Sequence, residues 1–165
     1  MEPKSIVFSR LDKRNEHLIR ECAVLMSNSE PWITLKRQYN DVFDMIEDET
    51  SEVHLARSGN DMIGFAVIKS RGAFVGYVQS IVIKPAHRNH GIGKAFMKYL
   101  EDRILTEHPN VFLCVSSFNK RARKLYERLG YEVIGELRDY IVRGHSEVLM
   151  RKSRAPLSEF KARTA

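Results

Sequence analysis

Residues Ser80 to Leu100, SIVIKPAHRNHGIGKAFMKYL, run from an apolar strand through a proline and a basic patch into two glycines, Gly91 and Gly93, that open a helix. A helix start leaves backbone N–H groups without intrahelical partners, and glycines there let an anion approach those amides without meeting a Cβ. The stretch therefore reads as a phosphate cradle. Spacing excludes two kinds of cradle. A P-loop needs Gly-Lys-Ser/Thr, whereas Gly93-Lys94 is followed by Ala95 and lacks the metal-holding hydroxyl. A dinucleotide fingerprint needs a third glycine where Phe96 stands and a strand that opens a βαβ unit, whereas this strand belongs to a meander.

Upstream, Ser5 to Arg10 reads as a short strand and Glu16 to Met26 as a helix with Leu18, Cys22, Leu25 and Met26 on one face. A break at Asn28 to Trp32 follows, and a second amphipathic segment is expected over Ile33 to Ile46. Glu52 to Ser58 and Met62 to Ser70 flank the turn Gly59-Asn60-Asp61 as a hairpin, and the next strand is expected over Phe74 to Lys84. Downstream, the helix expected over Gly91 to Glu107 carries an apolar stripe of Ile92, Phe96, Met97, Leu100 and Ile104. A buried strand is expected at Val111 to Val115. Asn119 is placed to cap a helix in which Ala122, Leu125, Tyr126 and Leu129 recur at helical spacing until Gly130 stops it. Tyr131 to Tyr140 and His145 to Lys152 close as an antiparallel pair.

The chain of 165 residues has the size of one domain, expected over residues 1–152, with a polar, proline-containing tail over 153–165. Its 43% hydrophobic and 29% charged residues suit a globular protein, and no apolar run approaches the roughly 20 residues of a membrane span, so no membrane partner is expected. The start, MEPKSIVFSR, has no apolar segment behind basic residues, which makes the cytoplasm the expected location. Cys22 and Cys114 lie far apart and the six histidines have no ligand spacing with them, so neither a disulfide nor a metal is expected. The net charge of +6 is interleaved with 21 acidic residues. Without clustered aromatics or a recognition motif, nucleic acid is not an expected partner.

With the nucleotide loops set aside, Arg88-x-x-Gly91-x-Gly93 after Ile81 to Pro85 resembles the acetyl-coenzyme A loop of the GNAT superfamily of N-acetyltransferases. A second block, NKRARKLYERLGY (Asn119 to Tyr131), is similar to that superfamily's Asn-x-x-Ala-x-x-Leu-Tyr-x-x-x-Gly-Phe/Tyr segment, and the order of elements agrees over nearly the whole chain. Glu30-Pro31-Trp32 and GHSEVLM (Gly144 to Met150) resemble features of its ribosomal-protein alanine N-acetyltransferases. The fold so implied is α+β: a single GNAT-type domain with a mixed, mostly antiparallel central sheet of about seven strands, about four flanking helices, and splayed central strands.

The resemblance implies direct transfer of an acetyl group from acetyl-coenzyme A to a primary amine, either a protein N-terminal α-amine or a small-molecule amine. The alternative is a non-catalytic acyl-coenzyme A binding module, which could dispense with Tyr126. A bulged strand is implied that leaves backbone groups of Ile81 and Ile83 free, with the Ile83 N–H polarising the thioester. The amides of Arg88, Asn89, His90, Gly91, Ile92, Gly93 and Lys94 are implied to hold the pyrophosphate, aided by the helix dipole. Tyr126 matches the tyrosine that protonates the departing thiolate, and a phenol with a reference pKa near 10 keeps its proton at neutral pH. Its helical spacing suits a core aromatic as well.

Asn119 would contact the cofactor or a water, though capping accounts for it equally. One of Lys120, Arg121, Arg123 and Lys124 could reach the 3′-phosphate. His87 and His90 decorate the loop, and Ile46 to Glu52 offers carboxylates to a cationic acceptor or is a solvated helix end. One position departs from the ribosomal-protein enzymes: where they carry a general-base glutamate stands Cys114, read as a buried small hydrophobe rather than a nucleophile. The base is therefore not carried over. The sequence leaves the oligomeric state open, a homodimer among the options.

Overall fold

A computed structural model describes residues 5–163; Met1 to Lys4 of the expected N-terminal segment and Thr164 and Ala165 of the expected tail lie outside it. Seven strands make one sheet: β1 (Ile6–Arg10), β2 (Ser51–Ser58), β3 (Asp61–Lys69), β4 (Tyr77–Ile83), β5 (Asn110–Ser116), β6 (Glu132–Arg138) and β7 (Ser146–Ser153). Their spatial order is β1-β2-β3-β4-β5-β7-β6, and every neighbouring pair is antiparallel except β4 and β5. Helices α1 (Glu16–Ser27) and α2 (Tyr39–Glu47) cover one face, while α3 (Ile92–Ile104) and α4 (Lys120–Arg128) cover the other. In β3, Phe65 and Val67 pack with α1 and α2, whereas Ala66 and Ile68 pack with α3. Successive side chains alternate between faces, so a strand covered on both sides reads as one continuous apolar run.

Three boundaries differ from the sequence expectation by three residues or more. The helix expected over Ile33 to Ile46 starts only at Tyr39, because residues 31–36 form turns that end in Lys36 at φ +55°. Helix α2 then begins on a reciprocal capping box, in which the Gln38 N–H donates to Asp41 Oδ2 at 2.8 Å. Strand β4 starts at Tyr77 rather than Phe74, and α3 ends at Ile104 rather than Glu107. In the tail, the Arg154 N–H donates to Pro109 O (2.9 Å) and the Arg163 N–H to Thr106 O (3.0 Å), so its backbone lies along the loop before β5.

The centre of the sheet is where the fold departs from regularity. Val67 pairs with Ser80 and Ile68 with Val78, which leaves Gln79 as an extra residue bulged out of β4. Strand β4 pairs with β5 only at Tyr77 to Phe112 and Val78 to Leu113, and beyond that point the two diverge. The Lys84 N–H donates to Ile63 O at 2.8 Å on the β3 side. Backbone groups alternate direction along a strand, so Ile81 and Ile83 turn theirs to the opened side.

Far from that opening, a charged network is buried between β2 and α3. Glu52, 6% exposed, accepts from Arg103 Nη2 at 2.8 Å and lies 3.3 Å from His54 Nε2; His54 Nδ1 is 3.0 Å from the Tyr99 hydroxyl. The His54 hydrogen bond, with the Arg103 and Arg10 charges, holds the Glu52 carboxyl at about 2 against an ordinary 4.5. A folded-state value below the unfolded one means stability that is full above about pH 4.5 and is lost as pH falls toward 2. Urea midpoints measured across that window should drop with acidification in the wild type. Glu52→Gln should flatten that part of the curve.

Candidate active site

The divergence of β4 from β5 opens a groove of about 810 Å³, within the range of small-molecule sites. Strand β4 supplies one wall, β5 the other, and the start of α3 and the inner face of α4 close one end. At the bulge, Gln79 Oε1 and Ser80 Oγ are buried and line the groove without a hydrogen-bond partner. Buried polar atoms of this kind are costly unless a ligand or water meets them.

Between β4 and α3 the chain makes a short 3-10 turn, Pro85–His87, and then a loop in which Asn89 (φ +69°) and Gly91 (φ +76°) are left-handed. Left-handed residues recurring in a short loop are the backbone geometry of anion-binding nests. Gly91 is the N-cap of α3, and a Cβ built on Gly91 or Gly93 meets no atom within 4 Å, so the space before the helix start is open. Arg88 folds back to donate from Nε to Ile83 O at 2.9 Å, and Arg121 donates to Asn89 Oδ1, tying the loop to α4. Arg88, Lys94, Arg121 and Arg128 line this end together. Helix dipole, free amides and four cations make it a site for a polyanion.

Helix α4 is capped as its sequence dictates: Asn119 Oδ1 accepts from the Ala122 N–H at 3.2 Å. One turn on, Tyr126 faces the groove yet is only 8% exposed, edge-on to Tyr131 at 5.9 Å between ring centres. Burial pushes its phenol up to about 12. On β5, burial likewise pushes the Cys114 thiol up against the opposing influence of the nearby Tyr77 hydroxyl, which leaves it a poor thiolate nucleophile. Opposite, on β7, Glu147 accepts from Ser116 Oγ at 2.7 Å and also lines the groove.

The groove thus gathers Ile81, Ile83, Arg88, Asn89, Gly91, Gly93, Lys94, Asn119 and Tyr126 from the sequence expectation. Two members do not line it: the Ile92 side chain turns into the core and His90 is exposed. His87 does line it. Of the four candidate cations on α4, Arg121 reaches the groove, while Arg123 pairs with Glu127 at 3.0 Å. The carboxylates of Ile46 to Glu52 do not reach it either, since Asp48 binds Lys69 at 2.8 Å and Glu52 belongs to the buried network. That part of the wall is built instead by Glu30, Trp32 and Leu35.

Sequence reasoning missed Arg128, Tyr77, Ser116 and Glu147. Arg128 had a signal, since it falls seven residues after Arg121 with Leu125 between them, on one helical face. Glu147 had a weaker one, an acid directly before the apolar run Val148 to Met150 of a strand.

Residues 16–131 match the sequence profile of the acetyltransferase (GNAT) family. No curated protein matches the chain by sequence. Solved structures that superimpose on it include the aminoglycoside 6'-N-acetyltransferase from Enterococcus faecium (19% identity, 91% of this chain and 98% of that chain, TM-score 0.72). The ribosomal-protein-S18-alanine N-acetyltransferase from Escherichia coli is similar at 19% identity (95% and 100% of the two chains, TM-score 0.71). Spermidine N-acetyltransferase from Vibrio cholerae, in complex with CoA and spermine, is similar at 20% identity (90% and 95%, TM-score 0.65). At such identities the likeness is one of fold, a seven-stranded mixed sheet opened between its central strands. The match to the sequence profile covers far more than half of the chain, and the protein belongs to the acetyltransferase (GNAT) family, whose members transfer acetyl groups from acetyl-coenzyme A.

Proposed function

We propose that the protein transfers an acetyl group directly from acetyl-coenzyme A to the α-amine of a peptide or protein N-terminus. Acetyl-coenzyme A supplies an acetyl group activated as a thioester. The basic end of the groove suits its phosphates: Gly91 and Gly93 leave the α3 amides open, and Arg88, Lys94, Arg121 and Arg128 stand around them. The unpartnered Gln79 and Ser80 and the free edge of β4 suit an amide-bearing arm laid along the strand. In this reading the Ile83 N–H, turned to the opened side, polarises the thioester oxygen.

Tyr126 donates the proton that the departing sulfur needs. Its buried phenol is a weak acid, but a thiolate formed in the same dry groove is raised by the same desolvation, which narrows the mismatch. Asn119 holds α4 in place through its cap and is at the groove's edge. A non-catalytic binding module would have no use for a tyrosine phenol here.

One observation carries the choice of acceptor. Among the described residues, the groove lining has two carboxylates, Glu30 and Glu147, against four arginines and lysines and a histidine. Glu30 is already engaged, accepting from the Thr34 N–H at 3.2 Å. With the four cations taken up by the phosphates at the other end, Glu147 is the one lining carboxylate not engaged by a backbone N–H, which suits an acceptor with a single amine better than a polycation needing several anionic partners. Among single amines, an α-amine with pKa near 7.8 is about a quarter neutral at pH 7.4, whereas a lysine near 10.4 is neutral about one part in a thousand.

Peptides with free N-termini should accordingly be acetylated faster than N-blocked peptides carrying lysine, with the rate rising as the amine deprotonates. Mass spectrometry on a mixed peptide set locates the acetyl groups. Acetylation chiefly on lysine, or turnover of polyamines in preference to peptides, would overturn the choice.

A further inference from the structure

We propose that Glu147 is the base of the transfer, taking the proton from the attacking acceptor nitrogen. The inference rests on the groove being an acetyl-transfer site for an amine. Three glutamates are buried among the described residues: Glu52, Glu101 and Glu147. Glu52 is held by Arg103 and Glu101 by Lys152, each at 2.8 Å. Glu147, 4% exposed, has no cation within ion-pair distance among the described residues. A buried carboxylate without a cation is expensive, and such groups concentrate where a ligand supplies the missing partner.

The geometry aims it. Ser116 and Glu147 are directly paired across β5 and β7, and the serine hydroxyl fixes Oε1 at 2.7 Å. Oε2 makes no hydrogen bond among the described residues, on a side chain that lines the groove with Ile83 and Tyr126. Cys114 is two residues from Ser116 on the same strand face, about 7 Å away along the strand. A carboxylate missing at Cys114 is thus present on the neighbouring strand. The polar groups around Glu147 are Ser116 and Cys114 on β5, Tyr77 on β4 and His145 just before the strand, with Tyr140, between β6 and β7, beside Tyr77. Burial pushes the Glu147 carboxyl above its ordinary value despite the Ser116 bond and the His145 side chain. A carboxylate so raised is a stronger base than an exposed one.

The step balances without a further reagent. The neutral amine's lone pair attacks the thioester carbon, forming the C–N bond, and the nitrogen becomes acidic as it does so. Its proton passes to Glu147 Oε2, directly or through one water. The C–S bond breaks with its electron pair going to sulfur, which takes the Tyr126 proton. Transfer of the Glu147 proton to the Tyr126 phenolate through solvent restores both groups, so the net change moves one hydrogen from nitrogen to sulfur.

The test combines three readouts on the full chain. With an Ala-initiated peptide, Glu147→Gln should lower kcat by about 10²-fold or more while leaving acetyl-coenzyme A affinity by calorimetry unchanged. In the wild type, log kcat/KM should rise with pH at a slope that decreases where Glu147 ionises; in Glu147→Gln that break should vanish. Formate should restore part of the rate to Glu147→Ala, as a packing role would not. Independently of turnover, an infrared difference between wild type and Glu147→Gln should reveal a carboxyl titrating above the ordinary glutamate range. Glu147→Gln with wild-type kcat and pH profile, or a Glu147 carboxyl titrating in the ordinary range, overturns the assignment. A wild type that binds acetyl-coenzyme A but acetylates no amine overturns the proposed function separately, and the infrared titration then still decides whether Glu147 is the raised carboxyl.

Discussion

Tyr126→Phe should lower kcat by about 10²-fold or more where chemistry limits turnover, with acetyl-coenzyme A affinity nearly intact. The substitution removes one oxygen and keeps the ring, which packs in the core that α3 and α4 share with the sheet and stands edge-on to Tyr131. Circular dichroism and the urea midpoint should therefore stay close to wild type, isolating the loss of the proton donor from a loss of packing. Calorimetry on the same preparation checks the affinity. An unchanged kcat with chemistry limiting would reduce Tyr126 to a core aromatic.

The second large effect is expected at the phosphate end. Gly91→Asp should abolish measurable acetyl-coenzyme A binding in calorimetry while the protein stays folded. Position 91 is left-handed at φ +76°, a conformation that Asp tolerates better than most residues, and it is the N-cap of α3, where Asp is among the preferred residues. A Cβ there meets no protein atom within 4 Å beyond its chain neighbours, so the side chain starts into the open space before the helix. Two unit charges 4 Å apart repel by about 4 kcal/mol at an effective dielectric of 20, near a thousandfold in affinity for each phosphate charge so placed. Binding indistinguishable from wild type would remove the phosphates from this loop. Gly91→Ala, which adds the Cβ without the charge, separates backbone strain from repulsion.

These two expectations draw on the parts of the site that the sequence carries locally. Gly91, Gly93 and Arg88 follow one strand within a few residues, and Asn119, Tyr126 and Gly130 lie within one helix and its caps, so spacing alone assembles them. The hairpin at Gly59 and Asn60 and the apolar stripe of α3 are legible for the same reason, since turn chemistry and helical period are short-range. The start of α2 was written in the chain as well, in Gln38 and Asp41, but the apolar residues from Ile33 onward mimic a helical face and hide it.

What local patterns do not carry depends on register between distant strands. The opening of the sheet, implied by the family resemblance rather than by any local pattern, follows from a bulge at Gln79 and a pairing with β5 that stops after Val78. The meeting of Ser116 with Glu147 requires knowing that β5 pairs with β7 rather than with β6. The resemblance, which places an acceptor groove near Ile46 to Glu52, offered the carboxylates there as an alternative to a solvated helix end. They fall at the end of α2 and on β2, on the far side of β3 from the groove, where Lys69 holds Asp48 and Arg103 and His54 hold Glu52.

The most direct measurement is release of free coenzyme A from acetyl-coenzyme A, followed with a thiol reagent in the presence and absence of an Ala-initiated peptide. Direct transfer in the groove predicts release that depends on the peptide, saturates with it, and matches the acetylated N-termini mole for mole. Binding of acetyl-coenzyme A with no peptide-dependent release, or equal release without peptide and an acetyl group left on the protein, would contradict it.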